Sequence, residues 1–145
     1  MTVKNTLRPG LTHRLSFRVT KNKLVPALYP ESDTFQQMPR VLATGFMVGL
    51  FEWCCTELVN QHLDQGEGTL GTHVDFSHTA ATPAGLTVTV DAEVTKVDGK
   101  RVSFYVRGHD GVDAIGEGRH ERVVVNYDRF NARIEEKARM AGAAA

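Results

Sequence analysis

The sequence predicts an α+β domain in which one long helix packs on a five-stranded antiparallel sheet, assembled as a homodimer. Three observations predict it. Arg40–Leu63 carries Leu42, Phe46, Leu50, Trp53 and Leu58 as a broad apolar surface, with no proline after Pro39, the pattern of a core-facing helix. After Gln65–Gly68 (QGEG) the apolar period changes to two and holds as far as Tyr127. Within that stretch "VDGK" and "HDGV" carry the Asp-Gly signature of tight hairpins. A single helix cannot cover both faces of such a sheet, so a partner copy is expected.

Each element follows in order. Leu15, Phe17 and Val19 alternate with Arg14, Ser16 and Arg18, which predicts a first strand. Residues 20–39 contain Pro26, Pro30 and Pro39 and keep no period. They predict a long cover, or lid, with one helical turn near Asp33–Gln37. In the helix, Gly45 and Gly49 share one face and admit a close neighbour. Four strands follow, over Leu70–Thr79, Leu86–Val97, Arg101–His109 and Val112–Tyr127, then a short closing helix over Asp128–Met140. The AGAAA of 141–145 reads as a frayed tail. No repeat or second domain interrupts residues 1–145, a single domain.

Charge excludes several partners. The chain has 145 residues, with 17 Lys plus Arg against 17 Asp plus Glu. It has no long basic run, so nucleic acid and anionic membrane surfaces are not expected partners. The N-terminal MTVKNTLRPG lacks the apolar stretch of a signal peptide. Val41–Cys55 is broken by Thr44, two glycines and Glu52, too short and mixed for a membrane span. A cytoplasmic location is the expectation. Cys54 and Cys55 are adjacent, so a mutual disulfide is geometrically poor and reduced, packed thiols are expected.

Several residues could carry chemistry, each with a plainer reading beside it. Glu52 has Val48, Gly49, Cys55, Thr56 and Val59 as helical neighbours and no cation among them. Either its face is solvated, or a carboxylate lies in an apolar setting; the two glycines and Trp53 favour burial. His78 shares strand parity with Val74 and Phe76, which places it towards the helix, as a hydrogen-bonded core histidine or as a site residue. A metal site is not expected, because His73 and Asp75 point away from His78 and lack a third ligand. Thr44 either satisfies a free N–H at the helix start or acts as a nucleophile, which needs a base beside it. On one straight helix, eight residues separate Thr44 from Glu52 by roughly 12 Å, so they could meet only around a substrate or across a dimer interface. Gly71 marks either a bend or a backbone N–H open to close approach. Arg122 shares a face with Gly116, Gly118, His120 and Val124. Those glycines leave room for another backbone, a ligand or a long side chain, while an exposed arginine is the plainer reading.

Together "LYPESDTF", "VLATGFMVGLFEW", "GEGTLGT", "SHTAATPAGLTVTV", "HDGVDAIGEGRHER" and "FNARIEEK" resemble the fluoroacetyl-CoA thioesterase family and its hot-dog-fold relatives. The resemblance runs from about Leu28 to Lys137. It implies a long central helix wrapped by the sheet, a dimer, and an acyl-CoA substrate cleaved to acid and CoA with no metal or separate cofactor. It places the catalytic Thr, Glu and His on Thr44, Glu52 and His78. The amide facing the thioester carbonyl falls on Gly71, and a supporting or substrate-contacting arginine on Arg122. Of the two lid phenylalanines it implies, Phe35 matches the first and Met38 stands at the second. Met is apolar but flexible, so hydrolysis of a short acyl-CoA is better founded than selectivity for fluorine. Two other readings stay beside it: a hydrolase of another short or aryl acyl-CoA, and a non-catalytic acyl-CoA sensor, which would not need all three of Thr44, Glu52 and His78. Arg129, Arg133 and Lys137 either approach the phosphates of CoA or form a solvated helix face.

Overall fold

The computed structural model describes residues 4–143. Strand β1 (Thr12–Arg18) leads through a 3-10 turn (Lys21–Lys23) and two short helices, α1 (Val25–Leu28) and α2 (Asp33–Gln36), to the long helix α3 (Thr44–Asn60). Then come β2 (Glu67–Phe76), β3 (Thr87–Asp98), β4 (Arg101–His109), β5 (Ala114–Asn126) and helix α4 (Tyr127–Met140). The strands form one antiparallel sheet in the order β1-β3-β4-β5-β2.

Helix α3 lies on one face of that sheet. Its Met47, Phe51, Cys54, Cys55, Leu58 and Val59 are buried against Val88, Val90, Val94, Phe104, Val106 and Ile115. Each such apolar side chain removed from water contributes about 1.5–3 kcal/mol, and together they fix which face of α3 looks inward. The alternating burial of β4 shows the same division: Val102, Phe104 and Val106 are wholly inside, while Arg101 and Arg107 are in water.

The cover segment is tied to the start of α3. Leu24 bridges Leu42, Val25 N–H donates to the Val41 carbonyl and Ala43 N–H to that of Lys23. Leu28 presses on Gly45, where an added Cβ would come within 2.9 Å of it. Gly49, by contrast, faces open space, so only one of the two helix glycines is used for close packing. The predicted turn near Asp33–Gln37 is α2, capped by the Ser32 hydroxyl accepting from Phe35 N–H. The 3-10 turn and α1 were not predicted, because their lengths are too short to show a period.

Helix α4 spans 14 residues, one more at its start than the predicted closing helix over Asp128–Met140. Asn126 caps it by accepting from Arg129 N–H. Of the expected frayed tail, Ala141–Ala143 are exposed, and 144–145 lie outside the described residues. Among the described residues no helix is long and apolar enough to cross a membrane.

The two cysteines are unpaired and buried, as their packing pattern predicts. Burial pushes the Cys54 thiol up to about 12 and raises that of Cys55 further, which makes both poor nucleophiles at neutral pH.

Candidate active site

Helix α3 begins at Thr44, with Ala43 as its cap and no side chain supplying a capping bond. The Thr44 hydroxyl therefore does not serve its own helix. It lies 2.8 Å from His78 Nδ1. The uncapped N–H groups of the first helical turn also put a partial positive charge beside that hydroxyl.

His78 reaches Thr44 because the chain beyond the end of β2 at Phe76 keeps running beside β5. Ser77 N–H donates to the Glu117 carbonyl and Thr79 N–H to the Ile115 carbonyl. The passage is possible only because residues 116 and 118 lack side chains. A Cβ on Gly116 would collide with the Ser77 carbonyl oxygen, and one on Gly118 with that of Asp75. The space predicted beside these glycines is thus filled by another backbone. Burial lowers the His78 pKa below the ordinary histidine value, with the Ala80 backbone opposing the shift. Its Nε2 is buried with no hydrogen-bond partner among the described residues.

The second cluster sits at the β2 edge of the sheet. Glu52 Oε2 accepts from Arg122 Nη1 at 3.2 Å. The cation that Glu52 lacks along its own helix comes from β5, so neither the fully solvated nor the apolar setting holds: its side chain is 39% exposed and paired. Trp53 does not help to bury it, being 47% exposed and donating to Glu57. Arg122 is buried rather than an ordinary surface arginine. Its Nε donates to Thr69 Oγ1 at 2.7 Å and its Nη2 to the Thr69 carbonyl at 3.1 Å.

Gly71 completes this cluster. It pairs with Arg122 next to a bulge at Thr72. A Cβ there would lie 2.9 Å from Glu52 Oε2 and 3.2 Å from Arg122 Nη1. Glycine thus lets the ion pair approach the backbone, a steric reason for it that is independent of any substrate.

The structure thus brings the predicted residues together as two pairs, Thr44 with His78 and Glu52 with Arg122 beside Gly71. Along α3 the two clusters remain about 12 Å apart by helical rise. Two members of the second cluster, Thr69 and His120, were not singled out from sequence; the shared parity of His120 with Arg122 was the available signal. Phe35 packs edge-on against Tyr29 with ring centroids 5.2 Å apart, and Met38 is exposed at the end of the cover segment. Arg129, Arg133 and Lys137 are exposed on α4. No group of three His, Cys, Asp or Glu side chains able to hold a metal ion occurs among the described residues.

A groove of about 510 Å³ lies on the sheet face away from α3, between Arg14, Asp91, Tyr105, Arg107 and Glu117. Ser77 and Thr79 line it, but His78 between them does not. Arg14 is already paired with Asp91 and Tyr105 with Glu117, and neither Thr44 nor His78 lines this groove.

Comparison with known proteins shows which proteins the chain resembles. The sequence pattern of the FlK family, fluoroacetyl-CoA-specific thioesterase, matches residues 19–128. A fluoroacetyl-CoA thioesterase of Streptantibioticus cattleyicolor is 50% identical over 135 residues, covering 93% of this chain and 97% of the relative. A solved structure of a Phe→Ala variant of a fluoroacetyl-CoA-specific thioesterase, in complex with fluoroacetate and CoA, superposes with a TM-score of 0.84 at 52% identity. It covers 86% of this chain and 99% of that one. A hot-dog-like protein from Thermanaerovibrio acidaminovorans shares the fold, with a TM-score of 0.75 at 22% identity over 89% of this chain and 91% of its own.

Proposed function

The chain belongs to the fluoroacetyl-CoA-specific thioesterase family, and from that premise we propose that it hydrolyses short acyl-CoA thioesters, fluoroacetyl-CoA among them, to the free acid and CoA. The observation that carries the reading is the 2.8 Å contact between the Thr44 hydroxyl and His78 Nδ1. A hydroxyl is a weak nucleophile until a neutral base takes its proton, and the lowered pKa of His78 keeps that base neutral.

In the proposed reaction Thr44 Oγ attacks the thioester carbonyl as its proton passes to His78. Negative charge gathers on the carbonyl oxygen, where the Gly71 N–H and the uncapped start of α3 would oppose it. The C–S bond breaks, the proton on His78 goes to the departing CoA sulfur, and the acyl group is left on Thr44. Glu52, held by Arg122, then takes a proton from water as water attacks the ester; that proton passes to Thr44 Oγ as its bond to the acyl carbon breaks, and the acid leaves with Thr44 and Glu52 both restored. Phe35 and Met38 on the cover segment would enclose the acyl group.

Two copies give this scheme its geometry. β2 is an edge strand, and its residues 71–75 are exposed. Val74 pairs with buried His120, so it occupies the inner face as its parity predicts, yet it is 44% exposed because nothing among the described residues covers that edge. An unprotected edge with an uncovered apolar residue is suited to pairing with a second copy. A two-fold axis there would set Glu52 and Gly71 of one protomer against Thr44 and His78 of the other, removing the separation along α3.

The test is thiol release from a panel of acyl-CoAs that includes acetyl and fluoroacetyl. Thr44→Ala, His78→Ala and Glu52→Gln are each expected to lower kcat by about 100-fold or more, with Thr44→Ser much less impaired because it keeps the hydroxyl. All three variants within a few-fold of the parent would refute the site. An acyl-CoA that raises Tm without being hydrolysed would favour the sensor reading instead.

A further inference from the structure

We infer that His120 is a positioning residue for the proposed hydrolysis: its ring nitrogen fixes Arg122 and, through Arg122, the Glu52 carboxylate beside Gly71. The inference rests on the role given to Glu52 above. It starts from an assignment of both ring nitrogens that the neighbours force.

His120 is fully buried on β5. Its Nδ1 lies 2.7 Å from the His73 carbonyl oxygen, which can only accept, so Nδ1 carries the hydrogen. Its Nε2 lies 3.1 Å from Arg122 Nη1. A guanidinium can only donate, so Nε2 is the acceptor. The ring is therefore neutral and held in one tautomer. A second proton would set an N–H against the guanidinium N–H in a buried place. The charged and titratable groups nearest the ring are Arg122 on β5, His73 on β2 and Glu52 on α3. Burial is the largest effect on the ring and lowers its pKa, which agrees with the neutral form.

The guanidinium is then held from three directions. Thr69 takes Nε and Nη2, while Nη1 is shared by His120 and Glu52. The Glu52 carboxylate is only half-buried, and one donor at 3.2 Å restrains it only if that donor is itself immobile. The His120 ring supplies the immobility. It packs between Phe76 and Phe104, at centroid distances of 5.9 and 6.2 Å, so it cannot turn away. Supporting hydrogen bonds of this kind commonly change activity by 10–100-fold when removed.

Three substitutions separate the acceptor from the packing. His120→Gln retains an acceptor near the Nε2 position, His120→Asn retains only a donor near Nδ1, and His120→Phe retains only the packing. Gln is expected to stay within about 3-fold of the parent kcat, while Asn and Phe lose about 10–100-fold with KM little changed. If His120 acts through Arg122, adding His120→Phe to Arg122→Met lowers kcat no further. Hydrogen exchange of the Arg122 side chain gives a readout that needs no turnover: protection in the parent and Gln proteins, lost in Phe. Parent-like kcat and unchanged protection in His120→Phe would overturn the inference, as would full additivity with Arg122→Met. An inactive parent, or a fully active Glu52→Gln, would instead refute the catalytic reading on which it rests.

Discussion

A threonine hydroxyl at a helix start ordinarily caps the helix, and Thr44 was open to that reading. It bonds to His78 instead because Ala43 occupies the cap position. Sequence parity placed His78 on the inner side, but not against Thr44, since residues 34 apart in sequence carry no mutual signal. The pH dependence follows from the histidine. Only the neutral ring can accept the Thr44 proton, so activity rises as pH rises through the His78 pKa, and burial sets that pKa below the ordinary value. The acid limb of kcat/KM is therefore expected to have its midpoint below about 6.5; a midpoint at 7 or above would assign the limb to another group. Met38 bears on selectivity. Its flexible, exposed side chain shapes a lid less well than an aromatic ring. Met38→Phe is expected to raise the fluoroacetyl-to-acetyl ratio of kcat/KM, measured by thiol release. An unchanged ratio would remove Met38 from the lid.

The elements were the most legible part of the molecule. The long helix and all five strands lie where their periods place them, with ends moved by a few residues. At β2 the strand closes at Phe76 rather than Thr79, although the chain stays beside β5 past Gly116, with the Ser77 and Thr79 N–H groups donating to the Glu117 and Ile115 carbonyls. The alternate glycines announced free space, but not what would fill it, because the occupant is another part of the same chain. A consequence can be measured. Gly116→Ala forces the Ser77 carbonyl away, moving the segment that presents His78. Overpacking of this kind is expected to cost about 1–3 kcal/mol in urea unfolding and to lower kcat alongside. A variant with parent stability and turnover would show that the packing at Gly116 does not position His78.

For the whole molecule, the sheet order leaves β2 as an edge beside Glu52 and Gly71, where the proposed dimer would form. The pairing of Glu52 with Arg122 was not legible from α3 alone, because the cation comes from a strand 70 residues away. The partition of Thr44–His78 and Glu52–Gly71 into two clusters was foreshadowed by the helical rise between Thr44 and Glu52. The proposed dimer unites them, so each site would draw on both copies. Co-expression of a Thr44→Ala chain with a differently tagged Glu52→Gln chain, followed by purification of the mixed dimer, tests this most directly. One of its two sites would combine an intact Thr44–His78 pair with an intact Glu52–Gly71 pair. The mixed dimer is expected to regain about half of the parent turnover per dimer. Turnover no higher than that of the two single variants would contradict a site shared between protomers.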